Sequence, residues 1–325
     1  MRRELELEIV KVTEAAALAV SPLIGKGDKI LVDQAAVDAM REEFNKMKIR
    51  GRVVMGEGKK DKAPMLYTGE KVGLGTGCEI DIVVDPVEGT NLVIGDLPNA
   101  LAVVAIAKKG KILSAPDMYM KKIAVGPEAK GVINLEASIT ENIKAVADAK
   151  NKRISDIKII ILNRPRHQEM IREAREVGAK VKLINAADVV AGVAVALANQ
   201  EGDLLYGIGG APEGVLTAAA LKCLGGDMQG QLVFYNDNEI EEARQLGIKN
   251  INQVFTLDNL VSGEEVIFSA TGITNGELLK GVQHYHNCVE TNSIVMNSQT
   301  NKIRNIKLEH RVGNKFHLEK GVANF

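Results

Sequence analysis

The 325-residue chain contains no tryptophan and only five tyrosines and six phenylalanines. Single-stranded nucleic-acid binding relies on aromatic faces for base stacking, so the composition disfavours that class. The formal net charge is only −1, which gives no electrostatic pull toward nucleic acid or an anionic membrane. The three cysteines, Cys78, Cys223 and Cys288, lie far apart. They form no CxxC or Cys/His spacing of a zinc site, and no disulfide framework is expected. The most apolar stretch, 183–197, is short for a membrane span and contains Asp188. The opening MRRELELEIV is charged throughout and lacks the apolar run of a signal peptide. A cytoplasmic protein without nucleic-acid or membrane partners is therefore expected.

What remains is ordinary globular material, 46% apolar and 26% charged, long enough for one large domain or two. No internal repeat, low-complexity segment or long linker interrupts it. Leu5, Ile9, Val12 and Ala16 recur at helical spacing and predict an opening amphipathic helix. A second helix is expected over about 29–47, with Val37, Met40 and Phe44 as its apolar stripe. Asp33 lies four residues before Val37 and so points the same way as that stripe. An acid on a buried face is either hydrogen-bonded in the core or a ligand. A short strand, 52–55, runs into Gly56-Glu57-Gly58, where glycines let the backbone approach a ligand closely. Asp61 follows in a polar loop.

The run Cys78-Glu-Ile-Asp-Ile-Val-Val-Asp85-Pro-Val-Glu88-Gly89-Thr90-Asn91 is the centre of the chain. Ile80, Ile82, Val83 and Val84 predict a buried strand, expected to end at Asp85-Pro86 because proline cannot continue a central strand. Two carboxylates so close to an apolar strand are costly unless a cation sits between them; otherwise the stretch is a solvated turn. A hairpin of 101–107 and 112–115 is expected next, then Tyr119 in a loop. From 157 onward strands (157–162, 181–184, 204–206) alternate with helices (167–177, 189–198, 212–224). Such a βαβαβα run predicts parallel strands with ligands gathering beyond their carboxyl ends. Those ends carry Asn163-Arg164-Pro165-Arg166, then Asn185 to Asp188, then Gly207 to Gly210 with Glu213. The style changes near residue 152, which divides an α+β half (1–152) from an α/β half (153–325). A last hairpin, 293–296 with 303–308, closes the chain.

Asp33, Glu57, Asp85, Glu88 and Glu213 all stand at structural junctions. An all-oxygen set without His or Cys suits hard cations such as Mg²⁺ or Mn²⁺ and argues against zinc or copper. Arg164 and Arg166 could clamp a phosphate with forked hydrogen bonds. The Gly-rich runs 73–77 and 207–210 raise a nucleotide-dependent oxidoreductase as a rival, but neither matches G-x-G-x-x-G.

Asp85-Pro-Val-Glu-Gly-Thr90 resembles the Asp-Pro-(Ile/Leu)-Asp-Gly-Thr signature of the inositol monophosphatase and fructose bisphosphatase superfamily of metal-dependent, lithium-sensitive phosphatases. Glu88 in place of the second Asp is characteristic of its class II fructose-1,6-bisphosphatases. Also similar to that family are Asp33 in Asp-Gln-Ala-Ala-Val-Asp-Ala-Met, Gly56-Glu57-Gly58 and Asp61 through Tyr67. Arg164-Pro165-Arg166-His167 and Gly209-Gly210-Ala211-Pro212-Glu213-Gly214 complete a collinear, nearly full-length match. The resemblance implies an αβαβα layered sandwich that hydrolyses the 1-phosphate of fructose 1,6-bisphosphate, a gluconeogenic step. It implies two or more Mn²⁺ or Mg²⁺ ions, with Asp33 and Glu57 on one and Asp85, Glu88 and Glu213 at another. Thr90, aided by Asp61 and Glu57, would serve the attacking water. Glu88, Gly89, Thr90, Tyr119, Arg164, Pro165, Arg166, Asp188 and Gly210 would hold the sugar bisphosphate. A homo-oligomer, dimer or tetramer, is implied as well. Sedoheptulose 1,7-bisphosphate is an alternative or additional substrate, and a non-catalytic phosphosugar sensor is the remote one. The family usually has a polar or Gly-containing run where this chain has Asn185-Ala186-Ala187. It usually has a Gly-rich, Arg-containing segment where this chain has 284–292.

Overall fold

The structure, a computed structural model, describes residues 4–56, 66–197 and 202–311. The chain begins with α1 (Glu4–Val20) and α2 (Lys29–Lys46). Leu5, Ile9, Val12 and Ala16 of α1 are all buried, as the helical spacing predicts. Asp28 caps α2, its side chain accepting from the Leu31 amide at 3.0 Å. There follow β1 (Ile49–Met55), β2 (Lys71–Val72), β3 (Cys78–Glu88), α3 (Thr90–Ile94), β4 (Leu101–Lys108) and β5 (Tyr119–Val125). The alternating part is α4 (Ile139–Ala149), β6 (Lys158–Leu162), α5 (Gln168–Glu176), β7 (Lys180–Ile184), α6 (Asp188–Ala194), β8 (Leu204–Gly210) and α7 (Ala211–Leu224). The remainder is β9 (Asp227–Val233), α8 (Asp237–Gln245), β10 (Val254–Thr256), α9 (Leu257–Leu260), β11 (Val266–Gly272), β12 (Gln283–His284), β13 (Cys288–Asn297) and β14 (Lys302–Arg311).

Two mixed sheets result. The first has the order β12-β13-β11-β4-β3-β1-β2 with β14 pairing β13, and the second β10-β9-β5-β8-β6-β7. In the first, only β1 and β3 run parallel. In the second, β6 runs parallel to β7 and β8, and β5 antiparallel to β8 and β9. Helices α1 and α2 pack together, with α1 on β4, β11 and β13. On the other side α7 contacts β3, β4 and β11 of the first sheet and β5, β8 and β9 of the second, with α6 beside it. Helices α4 and α5 cover β8 and β7. The layers are therefore αβαβα. Strand alternation makes this possible: Ile160 joins the core shared with α7, whereas its neighbours Ile159 and Ile161 join the α4–α5 core.

The sheets do not follow a cut at residue 152. β5 lies in the second sheet, and β11 to β14 return to the first. Three local expectations are corrected. β3 continues through Pro86 to Glu88 because the proline sits where the β3–β4 register shifts, a place where a missing ladder amide is tolerated. The 101–107/112–115 hairpin does not form; Ile112 makes an isolated bridge to Val261, so β4 spends its free edge on β11. Tyr119 opens a strand rather than a loop. Among the described residues no helix is long and apolar enough to cross a membrane.

Candidate active site

The end of β3 solves a parity problem. Asp85 and Glu88 are three residues apart, so an unbroken strand would aim them at opposite faces. In the β3–β4 ladder Asp85 faces Val103 and Glu88 faces Leu101, three steps on one strand against two on the other. The extra residue is a β-bulge, and it turns both carboxylates the same way. The Val87 amide donates to Asp85 Oδ1 at 3.0 Å, bracing the bulge. Glu213, in the first turn of α7 after Pro212, completes the group. One ligand atom each from Asp85, Glu88 and Glu213 lies within 4.8 Å of the others.

Asp85 and Glu88 are buried and Glu213 is partly so. Burial first, then the nearby Asp188 charge, pushes the Glu88 carboxyl up to about 8 and the Glu213 carboxyl up to about 7. Glu88 Oε1 accepts from the Val189 amide at 3.2 Å, which ties the first sheet to the start of α6. Glu213 Oε2 is buried and has no hydrogen-bond partner among the described residues. An orphaned buried oxygen costs about 1–3 kcal/mol. Gly210 leaves the space for it, since a Cβ there would stand 1.9 Å from that oxygen. Three converging carboxylates, one with an orphaned oxygen and none with a nitrogen or sulfur neighbour in the set, fit a hard divalent cation.

Beside this triad the Thr90 hydroxyl donates to Asp33 Oδ1 at 2.9 Å and lies 3.3 Å from the Val87 carbonyl. Gly89, at φ +89°, makes the turn that starts α3 and delivers Thr90. Burial raises the Asp33 carboxyl, and Thr90 and Lys29 oppose that shift. Asp33 thus meets Thr90, not the triad. Glu57 and Asp61 lie outside the described residues.

The carboxyl ends of β6, β7 and β8 carry the basic groups. Arg164 donates to the Asn163 carbonyl (3.0 Å) and the Asn185 carbonyl (2.5 Å). After Pro165, Arg166 donates twice to the Ile208 carbonyl, at 3.2 and 2.8 Å, and its guanidinium lies 4.8 Å from the Tyr119 ring centre. Tyr119 meets Tyr235 edge-to-face at 5.6 Å. Two residues that sequence reasoning passed over organise this side. His167 is fully buried; its Nδ1 reaches the Leu162 carbonyl at 2.7 Å and its Nε2 accepts from the Ile208 amide at 2.8 Å. A carbonyl only accepts and an amide only donates, so the ring is the neutral Nδ1–H form. Burial, and then Arg166 and Arg164, lowers its pKa against the backbone bonds. Lys122 is the other. Its ammonium donates to Asp188 Oδ2 at 2.5 Å and to the Gly210 carbonyl at 2.9 Å. Its signal was present: in an apolar strand containing Lys121-Lys122, period 2 must turn one of the two inward.

A five-layer sandwich with a buried acid triad and a basic flank at its strand ends is the arrangement of a cation-dependent phosphoric-ester hydrolase. The chain matches the family model described as "Bacterial fructose-1,6-bisphosphatase, glpX-encoded" over residues 3–310, and it belongs to that family. It is 44% identical to the "D-fructose 1,6-bisphosphatase class 2/sedoheptulose 1,7-bisphosphatase" of Synechocystis sp. and 43% identical to the protein so named from Microcystis aeruginosa. That from Crocosphaera subtropica is 42% identical; each alignment covers 95% of this chain and 97% of the relative. A solved extragenic suppressor from Pyrococcus furiosus aligns over 59% of this chain and 70% of that one, at 13% identity and a TM-score of 0.33. That likeness is too slight to bear on the fold.

Proposed function

We infer that this chain hydrolyses the 1-phosphate of fructose 1,6-bisphosphate to fructose 6-phosphate and phosphate. The observation that carries the reading is the convergence of Asp85, Glu88 and Glu213 beside the Thr90–Asp33 hydrogen bond. Asp85, Glu88 and Glu213 would hold one cation, and Asp33 with Glu57 a second, Mn²⁺ or Mg²⁺ in each case. Bound divalent ions supply charge neutralisation at phosphoryl oxygens and acidify a coordinated water. The protein's own part is to orient and to exclude. The Thr90 hydroxyl, fixed by Asp33, takes a hydrogen-bonding position beside the attacking water, with Asp61 as its partner in proton transfer. Water attacks phosphorus in line with the departing sugar oxygen. Arg164, Pro165 and Arg166 with Tyr119 form the receptor for the distal phosphate. Glu88, Gly89, Asp188 and the Gly210 backbone border the sugar.

Sedoheptulose 1,7-bisphosphate is a second substrate in this reading, favoured by the double names of the relatives. The proposal includes a cytoplasmic, gluconeogenic, homo-oligomeric enzyme. The test is initial-rate phosphate release from both bisphosphates and several monophosphates, with Mn²⁺ and Mg²⁺ compared. Hydrolysis of the bisphosphates well above the monophosphates is expected. No release with either metal would reject the reading.

A further inference from the structure

Lys122 is only 2% exposed, and a fully buried ammonium survives only where charge and hydrogen bonds offset its desolvation. It has both, in Asp188 Oδ2 and the Gly210 carbonyl. The backbone makes room for the pair. A Cβ on Gly209 would stand 2.3 Å from Asp188 Oδ2 and 3.2 Å from Lys122 Nζ, and one on Gly214 3.7 Å from that nitrogen. Lys121, its neighbour, faces the other way, bonds the Leu135 carbonyl at 3.2 Å and lies 5.7 Å from the Tyr206 ring centre. One lysine of the pair is an ordinary snorkelling side chain; the other has been built into the site.

Asp188 is close enough to the acid triad for its charge to act on both Glu88 and Glu213. The amide of the next residue, Val189, donates to Glu88 Oε1 at 3.2 Å, so Asp188 borders the triad although the three converging carboxylates do not include it. Committed to Lys122, it is held on the Gly210 side, where the sugar is read. We propose that Lys122 is a positioning residue that keeps the Asp188 carboxylate out of the cation cage and aligned with the Gly210 carbonyl for substrate. Removing the ammonium therefore has two effects of opposite sign. The triad gains a free carboxylate and more negative charge, so a cation binds at least as tightly. The sugar side loses an aligned acceptor and its turn, so substrate binds less well.

The substrate half of this proposal rests on the bisphosphatase reading; the cation half does not. The experiment is Lys122→Met, measured by calorimetric titration of Mn²⁺ alone into metal-stripped protein and by initial rates with fructose 1,6-bisphosphate. A Mn²⁺ dissociation constant equal to or below the wild-type value is expected, with KM raised about tenfold or more and kcat changed far less. Mn²⁺ binding that weakens in step with the rise in KM would mark a merely structural lysine and overturn the proposal, as would an unchanged KM. Should Lys122→Met not fold, Lys122→Met with Asp188→Asn removes both buried charges together. This double variant is expected to fold, to bind Mn²⁺ like the wild type and to keep the raised KM; failure to fold, or a normal KM, overturns the proposal. Wild-type protein that binds Mn²⁺ but releases no phosphate would reject the bisphosphatase reading instead, and the Mn²⁺ titrations would still decide what Lys122 does to Asp188.

Discussion

The two sides of the site are built on opposite plans. On the acid side three carboxylates crowd together, two of them buried and Glu213 partly so, and Glu213 Oε2 is orphaned among the described residues. On the basic side Arg164 and Arg166 each donate two hydrogen bonds to backbone carbonyls, and Arg166 lies over the Tyr119 ring. The first side stores unfavourable electrostatics that, in the proposed reading, a cation would relieve. On the second the guanidiniums are held in place in advance, which in the proposed reading would lower the ordering cost of binding a phosphate. In that reading the metal-binding pole is strained when empty, whereas the anion-binding pole is ordered in advance.

Replacing a member of the acid side should break this contrast most sharply. Glu213→Gln or Asp85→Asn is expected to lower kcat by about a hundredfold or more, since charge stabilisation at a reacting phosphoryl group is lost. The Glu213→Gln protein, stripped of metal, should melt higher than stripped wild type at pH 8, because a costly buried charge is gone. A lower melting temperature for that variant would mean that the acids are satisfied without a cation. Thr90→Ala comes next, with kcat down by about tenfold to a thousandfold, the scale of an impaired proton relay. Its Mn²⁺ affinity should be nearly normal; a large loss in the titration would recast Thr90 as a ligand. Arg166→Ala should raise KM for fructose 1,6-bisphosphate by about tenfold to a hundredfold. Arg166→Lys should not restore it, because an ammonium reproduces neither the fork on the Ile208 carbonyl nor the stacking.

The smallest effect expected is on melting temperature against pH. Glu88 and Glu213 have folded-state pKa values raised to about 8 and about 7 from an ordinary 4.5. Groups raised in this way favour the fold below their unfolded pKa and lose that contribution as pH rises through the folded value. Metal-stripped protein should therefore melt progressively lower between about pH 5 and about pH 9. Excess Mn²⁺ should flatten the slope. An equal slope with and without Mn²⁺ would show that the acid side is not where the cation goes.

Much of this was legible in the sequence. Periodicity identified α1, α2 and the alternating strands and helices, the paired acids at the end of β3 were visible as a costly placement, and Glu213 as an acid at a structural junction. What was not legible came from pairing. Pro86 was expected to stop β3, yet it occupies a bulge, and only the β4 partner reveals one. The hairpin after β4 was expected from adjacency in sequence, but β4 pairs with β11 from far along the chain. Asp33 was recognised as an acid on a buried face, but not as the acceptor of the Thr90 hydroxyl on α3. His167 was hidden because its partners, the Leu162 carbonyl and the Ile208 amide, leave no local pattern; for Lys122 strand alternation gave a hint, but not its partners, the Gly210 carbonyl and the Asp188 carboxylate on α6.

The bulge at Pro86 and Val87 has a consequence for insertions and deletions. The number of residues between Asp85 and Glu88 matters as much as their identity. Deleting one of the two intervening residues would restore an even ladder and leave the two carboxylates two apart, on one face by parity but without the bulge. Adding one residue would carry Glu88 past Leu101 and away from the α6 amide that anchors it. The information held in this short stretch is arithmetic as much as chemical. A variant with one residue added there should keep its strands while losing its affinity for cations.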